Sequence, residues 1–421
     1  MRKPDRMGLP HFLRKLAITI ITLFILFPAT LKAQLFLGQY EDEAPLMTWN
    51  LLGPATGSIT GMGNVRFTNT TDCSAVLTNP ALISKLPKLT LTFNSSIQSA
   101  QLNKYGFINT GLLHTEENSP ITIYAFDLIG ISYNFGSWGI AVSMAELENY
   151  SRPTAKYESP YQDNLNKSIE YSQKGLLRNL NLSLSKQFNS WISAGIGINF
   201  VKGSLERNWE DKNFMPDITI TDYKHHDING YYINGGLIFN ISKNFMLATI
   251  FRSPYTRKAD SESRLRNFTP AGNTDISIEI SHKSSFKQPL VLGAGFNYRI
   301  SNPISFALDV SFFNWENYKV DYFGEELNRN FKNTVIINAG IEYMSSIKIF
   351  NYLLNIPAWA GFSYDPQPMK KPASKYHYFT TGLGVRGNHF FLDLGFMFGF
   401  ETGSGDNLKT MKATLTLGFR L

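Results

Sequence analysis

Cysteine is nearly missing from this chain of 421 residues: Cys73 stands alone, which excludes an internal disulfide and any metal site built from cysteines. Long apolar runs are equally scarce. Beyond residue 33 no stretch approaches the ~18 consecutive apolar residues that a membrane-spanning helix needs. Catalytic signatures are missing as well, with no H-E-x-x-H and no G-x-S-x-G. Gly57, Gly61 and Gly63 do not follow a strand that opens onto a helix, so they are not a phosphate loop. An enzyme is therefore not expected, and no cofactor or metal is implied.

A lasting excess of one charge is also missing. The formal charge is +7, but residues 1–33 hold six basic residues (Arg2, Lys3, Arg6, Arg14, Lys15, Lys32) and one acid (Asp5), so the remainder carries +2. Nucleic acid is not an expected partner. Residues 1–33 read as an export signal. A basic start precedes the apolar run Leu16 to Ala29, which Pro28 interrupts, and Leu31-Lys32-Ala33 offers a small-residue cleavage site before Gln34.

What is abundant is aromatic residues, 14% of the chain, and alternation. From Met411 to Leu421 apolar side chains fall on every odd position and polar or small ones on every even position. That period belongs to a β-strand with one greasy face. It recurs at Leu89, Leu91 and Phe93; at Ile129, Ile131, Tyr133 and Phe135; at Leu180, Leu182 and Leu184; at Ile192 to Phe200; and at Tyr231 to Phe239. The connections alternate between two kinds. Tight-turn residues occur at Gly136-Ser137, Asn189-Ser190, Ser242-Lys243-Asn244, Ser301-Asn302-Pro303, Ser345-Ser346 and Gly387-Asn388. Longer polar stretches lie between them, roughly 100–120, 149–178, 203–227, 254–287, 317–332, 366–375 and 402–407. A soluble sandwich or propeller does not explain this rhythm or a strand at the C-terminus. An all-β transmembrane antiparallel barrel of about 14 strands does, with short periplasmic turns, long extracellular loops, and both ends of the barrel on the periplasmic side. The expected layout is a signal peptide at 1–33, a Gly- and Pro-rich hatch or plug at 34–87 inside the lumen, and the barrel at 88–421. The expected location is the cell outer membrane of a Gram-negative type, with many crossings.

Several motifs in order resemble the FadL-type outer-membrane transporters of hydrophobic compounds: Asp72-Cys73-Ser74 through Asn79-Pro80-Ala81; Phe251-Arg252-Ser253-Pro254; Gln288-Pro289 through Gly295; Ala307-Leu308-Asp309-Val310 with Asn314-Trp315; Ala360-Gly361-Phe362-Ser363-Tyr364-Asp365 through Pro368; Gly382-Leu383-Gly384; and Leu392-Asp393-Leu394. Leu82, Phe251 and Leu421 depart from the family pattern, which has Gly, Tyr and Phe there. The resemblance implies passive passage of long-chain fatty acids or similar apolar molecules through a pocket, hatch movement, and sideways exit near the third strand. Asn79, Pro80 and Ala81 would then gate the hatch beside a lateral opening at Trp138 and Gly139; as residues alone they also read as an Asn-Pro turn. Arg252 is a candidate contact for a ligand carboxylate, against pairing with a loop acid or a lipid headgroup. Tyr150, Tyr157, Tyr161, Trp209 and Phe214 suit either a landing groove or loop packing. His225-His226-Asp227 cannot converge on one ion within a strand, because neighbouring side chains face opposite ways. The expected partners are outer-membrane lipids, a hydrophobic small molecule and, during biogenesis, the barrel assembly machinery. The alternative function on the same fold is a barrel of the PorV kind that shuttles or anchors secreted proteins.

Overall fold

The structure is a computed structural model, described for residues 51–101, 120–160, 166–214, 217–270, 274–322, 324–327, 330–349, 352–370, 373–403 and 409–421. The export signal, residues 34–50 and Tyr161 lie outside the described residues. Fourteen antiparallel strands form a closed barrel. They are β1 (Leu89–Gln101), β2 (Pro120–Phe135), β3 (Trp138–Asn149, resumed as Arg152–Pro160), β4 (Asn166–Gln187), β5 (Ile192–Phe214), β6 (Asp217–Asn240), β7 (Phe245–Arg252, resumed as Tyr255–Thr269), β8 (Thr274–Gln288, resumed as Val291–Arg299), β9 (Ile304–Phe313, resumed as Lys319–Tyr322), β10 (Thr334–Ile349), β11 (Tyr352–Pro366), β12 (Lys375–Arg386), β13 (Phe390–Thr402) and β14 (Lys409–Arg420). β14 pairs with β1 from Thr90↔Arg420 to Ala100↔Thr410, and Leu89 and Leu421 exchange both backbone hydrogen bonds at 3.1 and 2.9 Å. Closure leaves no open seam, the condition for strands to cross a membrane.

The burial pattern is that of a barrel in lipid. Leu180, Leu182 and Leu184 are 41–47% exposed, while Asn179, Asn181 and Ser183, which alternate with them, are buried. The same inversion holds for Ile129 and Ile131 around Gly130, and for Ile198 and Phe200 around Asn199. Apolar side chains point out and polar ones in, so the greasy surface has only lipid to cover it.

Two expectations are corrected here. Much of 166–178, 203–227 and 254–287 is strand, not loop: β4, β5 and β6 run for 22, 23 and 24 residues, and β7 and β8 pair from Thr274↔Thr269 to Gln288↔Tyr255. A tilted strand crosses a bilayer in about 9–11 residues. The extra length therefore stands outside the membrane, where no lipid demands a greasy face and the alternation fades. The turn placed at Ser345-Ser346 is also paired strand, Ser345↔Ile356 and Ser346↔Asn355. β7 and β8 each break at a proline, Pro254 and Pro289, which has no N–H to give the ladder.

Candidate functional site

The described part of the N-terminal segment lies in the lumen from residue 51 to residue 86. A short helix α1 (Gly57–Gly61) and two 3-10 turns, Cys73–Val76 and Pro80–Lys85, have nearly every residue buried. Hydrogen bonds from around the wall fix it. Gly57 N donates to Thr416 Oγ1 (2.7 Å), Gly63 N to Thr380 Oγ1 (2.8 Å), and Cys73 N to Thr92 Oγ1 (3.0 Å). The backbone N–H groups of Arg66 and Phe67 both donate to Asp309 Oδ2, at 2.6 and 3.0 Å. Asn94 and Asn234 donate to the carbonyls of Ala55 and Val76, at 3.0 and 2.8 Å. Irregular backbone at membrane depth survives only where its polar groups are satisfied in this way.

Asn79, Pro80 and Ala81 form the start of the second 3-10 turn. Asn79 Oδ1 accepts from Ala81 N (3.2 Å), its amide donates to Phe67 O (2.9 Å), and Pro80 sits at the first helical position. The segment packs on β5 and β6. A Cβ on Gly195 would overlap the Pro80 backbone, and one on Gly236 would overlap the Asn79 side chain. The 3-10 turn that begins at Pro80 also packs on β3 and β4, and its Ile83 reaches Gly139. The wall is continuous there, with Trp138↔Lys186 and Gly139↔Ser185 on one side and Asn134↔Gly139 on the other. The irregularity in β3 falls instead between Glu146 and Glu148.

Above the hatch, apolar and aromatic side chains (Leu177, Val201, Ile228, Tyr232, Tyr255) are packed together with the charged Arg257 and Glu148. Arg252, the last residue of lower β7, enters this region from the wall with 1% of its surface exposed. Its guanidinium lies 4.4 Å from the Tyr232 ring and 5.0 Å from the Tyr255 ring, with the Tyr232 hydroxyl in reach and no carboxylate at ion-pair distance among the described residues. The loop acid that might have paired with it is taken by a neighbour: Arg257 meets Glu148 at 2.9 Å and Tyr255 Oη at 3.0 Å. Glu148 also accepts from the Tyr150 hydroxyl (2.9 Å), which places buried Tyr150 in this network and not in an open groove.

A feature that motif reading missed links Arg252 to the hatch. Asn234 lies opposite Arg252 in register on the same inner face. Asn179 and Asn181 each donate to Asn199 Oδ1 at 2.8 Å, Asn199 donates to Asn234 Oδ1 at 2.7 Å, and Asn234 ends the chain on Val76 O. The signal was available: asparagine recurs at the inward positions of three successive strands.

In the extramembrane sheet His225 faces outward between Glu206 (3.7 Å) and Asp227 (3.3 Å), whereas His226 faces inward against Ser261 Oγ at 2.7 Å. Burial, with Arg207 and Lys224 nearby, lowers the His226 pKa to about 3. Trp209 is half-buried opposite Asp222, and the backbones of Tyr157 and Phe214 pair with Ile169 and Asp217.

A family model described as BamG matches residues 54–404. Among solved structures, the toluene transporter TbuX of Ralstonia pickettii is 12% identical with a TM-score of 0.59, covering 88% of this chain and 98% of its own. The monoaromatic hydrocarbon channel CymD is 13% identical with a TM-score of 0.61, over 88% and 97%. The toluene transporter TodX of P. putida is 12% identical with a TM-score of 0.60, over 88% and 99%. At such identity the likeness is one of fold, and it agrees with the FadL-type architecture read from the motifs. A search of curated proteins found no match.

Proposed function

The chain belongs to the BamG family, and we propose that this outer-membrane barrel admits an apolar molecule with an anionic head group, a long-chain fatty acid or a close relative, into the lumen above the hatch. One observation carries the reading: a fully buried guanidinium beside the adjoining rings of Tyr232 and Tyr255, with no carboxylate at ion-pair distance among the described residues. A carboxylate entering from the extracellular side would supply the missing partner, while the surrounding aromatics desolvate its chain. Release requires the hatch to shift. Asn234, in register with Arg252, donates to Val76 O of the hatch, and Asn79, Pro80 and Ala81 are the hatch residues seated on the wall just below it. A sideways exit at Trp138 and Gly139 would first have to unpair β3 from β4.

A second reading is supported by different features. The sheet of β5 to β8 stands well clear of the membrane, and on β8 Ile276, Ile278 and Ile280 are 50–53% exposed beside an edge whose ladder to Lys319–Tyr322 covers Ser285 to Lys287. Such an edge suits the docking of another polypeptide. The family's description, BamG, fits a place beside the barrel assembly machinery, which supports a protein-handling role of the PorV kind. Deleting the gene separates the two. Loss of labelled fatty acid uptake, with other outer-membrane proteins at normal levels, favours passage. Normal uptake with depleted outer-membrane or surface proteins favours the second reading and overturns the first.

A further inference from the structure

The short-turn end of the barrel carries charge of one sign. Lys88 precedes β1, Lys186 ends β4, Lys243 lies in the β6–β7 turn, Arg299 ends β8, Lys348 nears the end of β10, and Arg420 ends β14. No Asp or Glu occurs in 86–90, 134–139, 186–192, 240–246, 298–304, 345–353, 386–391 or 418–421, the carboxylate after Leu421 apart. The opposite end is unlike this. There Arg257 pairs with Glu148, Lys174 with Glu206, Arg266 with Asp275, and Lys319 with Glu326. Among the described residues none of these six cations has a side-chain carboxylate at ion-pair distance; Arg386, at the end of β12, does, meeting Asp393 at 2.8 Å.

An independent feature says what lies against these cations. Lys186 continues the outward face of Leu180, Leu182 and Leu184, so its ammonium is on the lipid side of the wall. It rests 4.5 Å from the Trp138 ring and 5.3 Å from the Phe188 ring, both partly exposed. Trp191, Tyr298, Tyr352 and Phe419 are exposed at the same end. Aromatic rings of this kind mark the level where hydrocarbon gives way to headgroups, and long basic side chains at that level extend into the headgroup layer. A protein partner at Lys186 would have to displace that lipid.

We propose that this rim is a binding site for the phosphate groups of anionic phospholipids, with Lys186 as its lipid-facing anchor. Each cation near an anionic surface contributes a preference worth about fivefold, and the effect is screened by salt. The test uses the full-length protein in phosphatidylcholine nanodiscs containing graded amounts of brominated phosphatidylglycerol, or of brominated phosphatidylcholine as the control. Quenching of Trp138 and Trp191 is the readout, assigned with Trp138→Phe and Trp191→Phe. The expected result is a phosphatidylglycerol preference of about fivefold or more that falls with added salt, persists in Lys186→Arg, and approaches one in Lys186→Glu combined with Lys243→Glu. Should the Lys186 variant fail to fold, Lys243→Glu in its exposed turn and the salt titration carry the test alone. Equal quenching by the two lipids in the wild type, as an acidic protein partner would give, overturns the proposal. So does a preference that survives charge reversal.

Discussion

Arg252 holds a charge out of water without a carboxylate beside it, and this sets its cost apart from that of Arg257 or Arg386, each of which has one. A buried, uncompensated charge destabilises a fold, and a well-packed apolar replacement often restores about 1–4 kcal/mol. Arg252→Met is therefore expected to raise the urea midpoint of the ligand-free protein. A fall in that midpoint would show that the guanidinium already has a partner. Asp309 should behave in the opposite sense. Asp309→Ala leaves the N–H groups of Arg66 and Phe67 buried without an acceptor, at about 1–3 kcal/mol for each group, and loosens the hatch. Increased hydrogen exchange confined to residues near Phe67 would be the readout. The sequence pointed to Arg252 and to Asn79-Pro80-Ala81 by motif, and the Asn-Pro turn by local chemistry. It did not reveal the asparagine relay or the Glu148–Arg257 pairing, because those contacts join strands remote in sequence and depend on register.

At the level of elements, alternation is legible where one face meets lipid and the other meets the hatch, as in β1, β4 and β14. It is illegible where both faces meet water, and so the upper reaches of β5 to β8 read as loops. Those reaches contain His226, held neutral by burial. An unfolded histidine titrates near 6.5 and the folded one near 3, so the unfolded arm binds more protons as the pH falls from 6.5 toward 3. Stability of the upper sheet is thus complete above about pH 6.5 and declines below it. Hydrogen exchange of Ile218 to Asp227, corrected for the intrinsic rate, should quicken between pH 7 and pH 5, and His226→Gln should flatten that response. An unchanged profile in the wild type would contradict the buried, neutral assignment. The hatch makes a second prediction at this scale. Gly195 sits so close to Pro80 and Ala81 that Gly195→Val must push the hatch off β5. Ion conductance in planar bilayers should appear or rise in the variant, and a silent, fully folded Gly195→Val barrel would show that the contact is not needed to keep the hatch seated.

Across the whole molecule, the barrel, its lipid-facing skin and its fourteen strands follow from a two-residue rhythm and an alternation of short and long connections. Two errors in that reading, the Ser345-Ser346 turn and the loops that are strands, left the strand count intact, because a hairpin shifted by a few residues or lengthened at one end is still one hairpin. The seat of Asn79-Pro80-Ala81 on β5 and β6 was not legible in the sequence, because which strands a lumen segment touches depends on how the barrel closes around it. The most direct measurement is calorimetric titration of the full-length protein in nanodiscs with a long-chain fatty acid and with the alcohol of equal chain length, repeated for Arg252→Met. The acid is expected to bind the wild type at least about tenfold more tightly than the alcohol, the worth of one charge-assisted contact, with the difference gone in the variant. Equal affinity of acid and alcohol for the wild type would contradict a head-group site at Arg252.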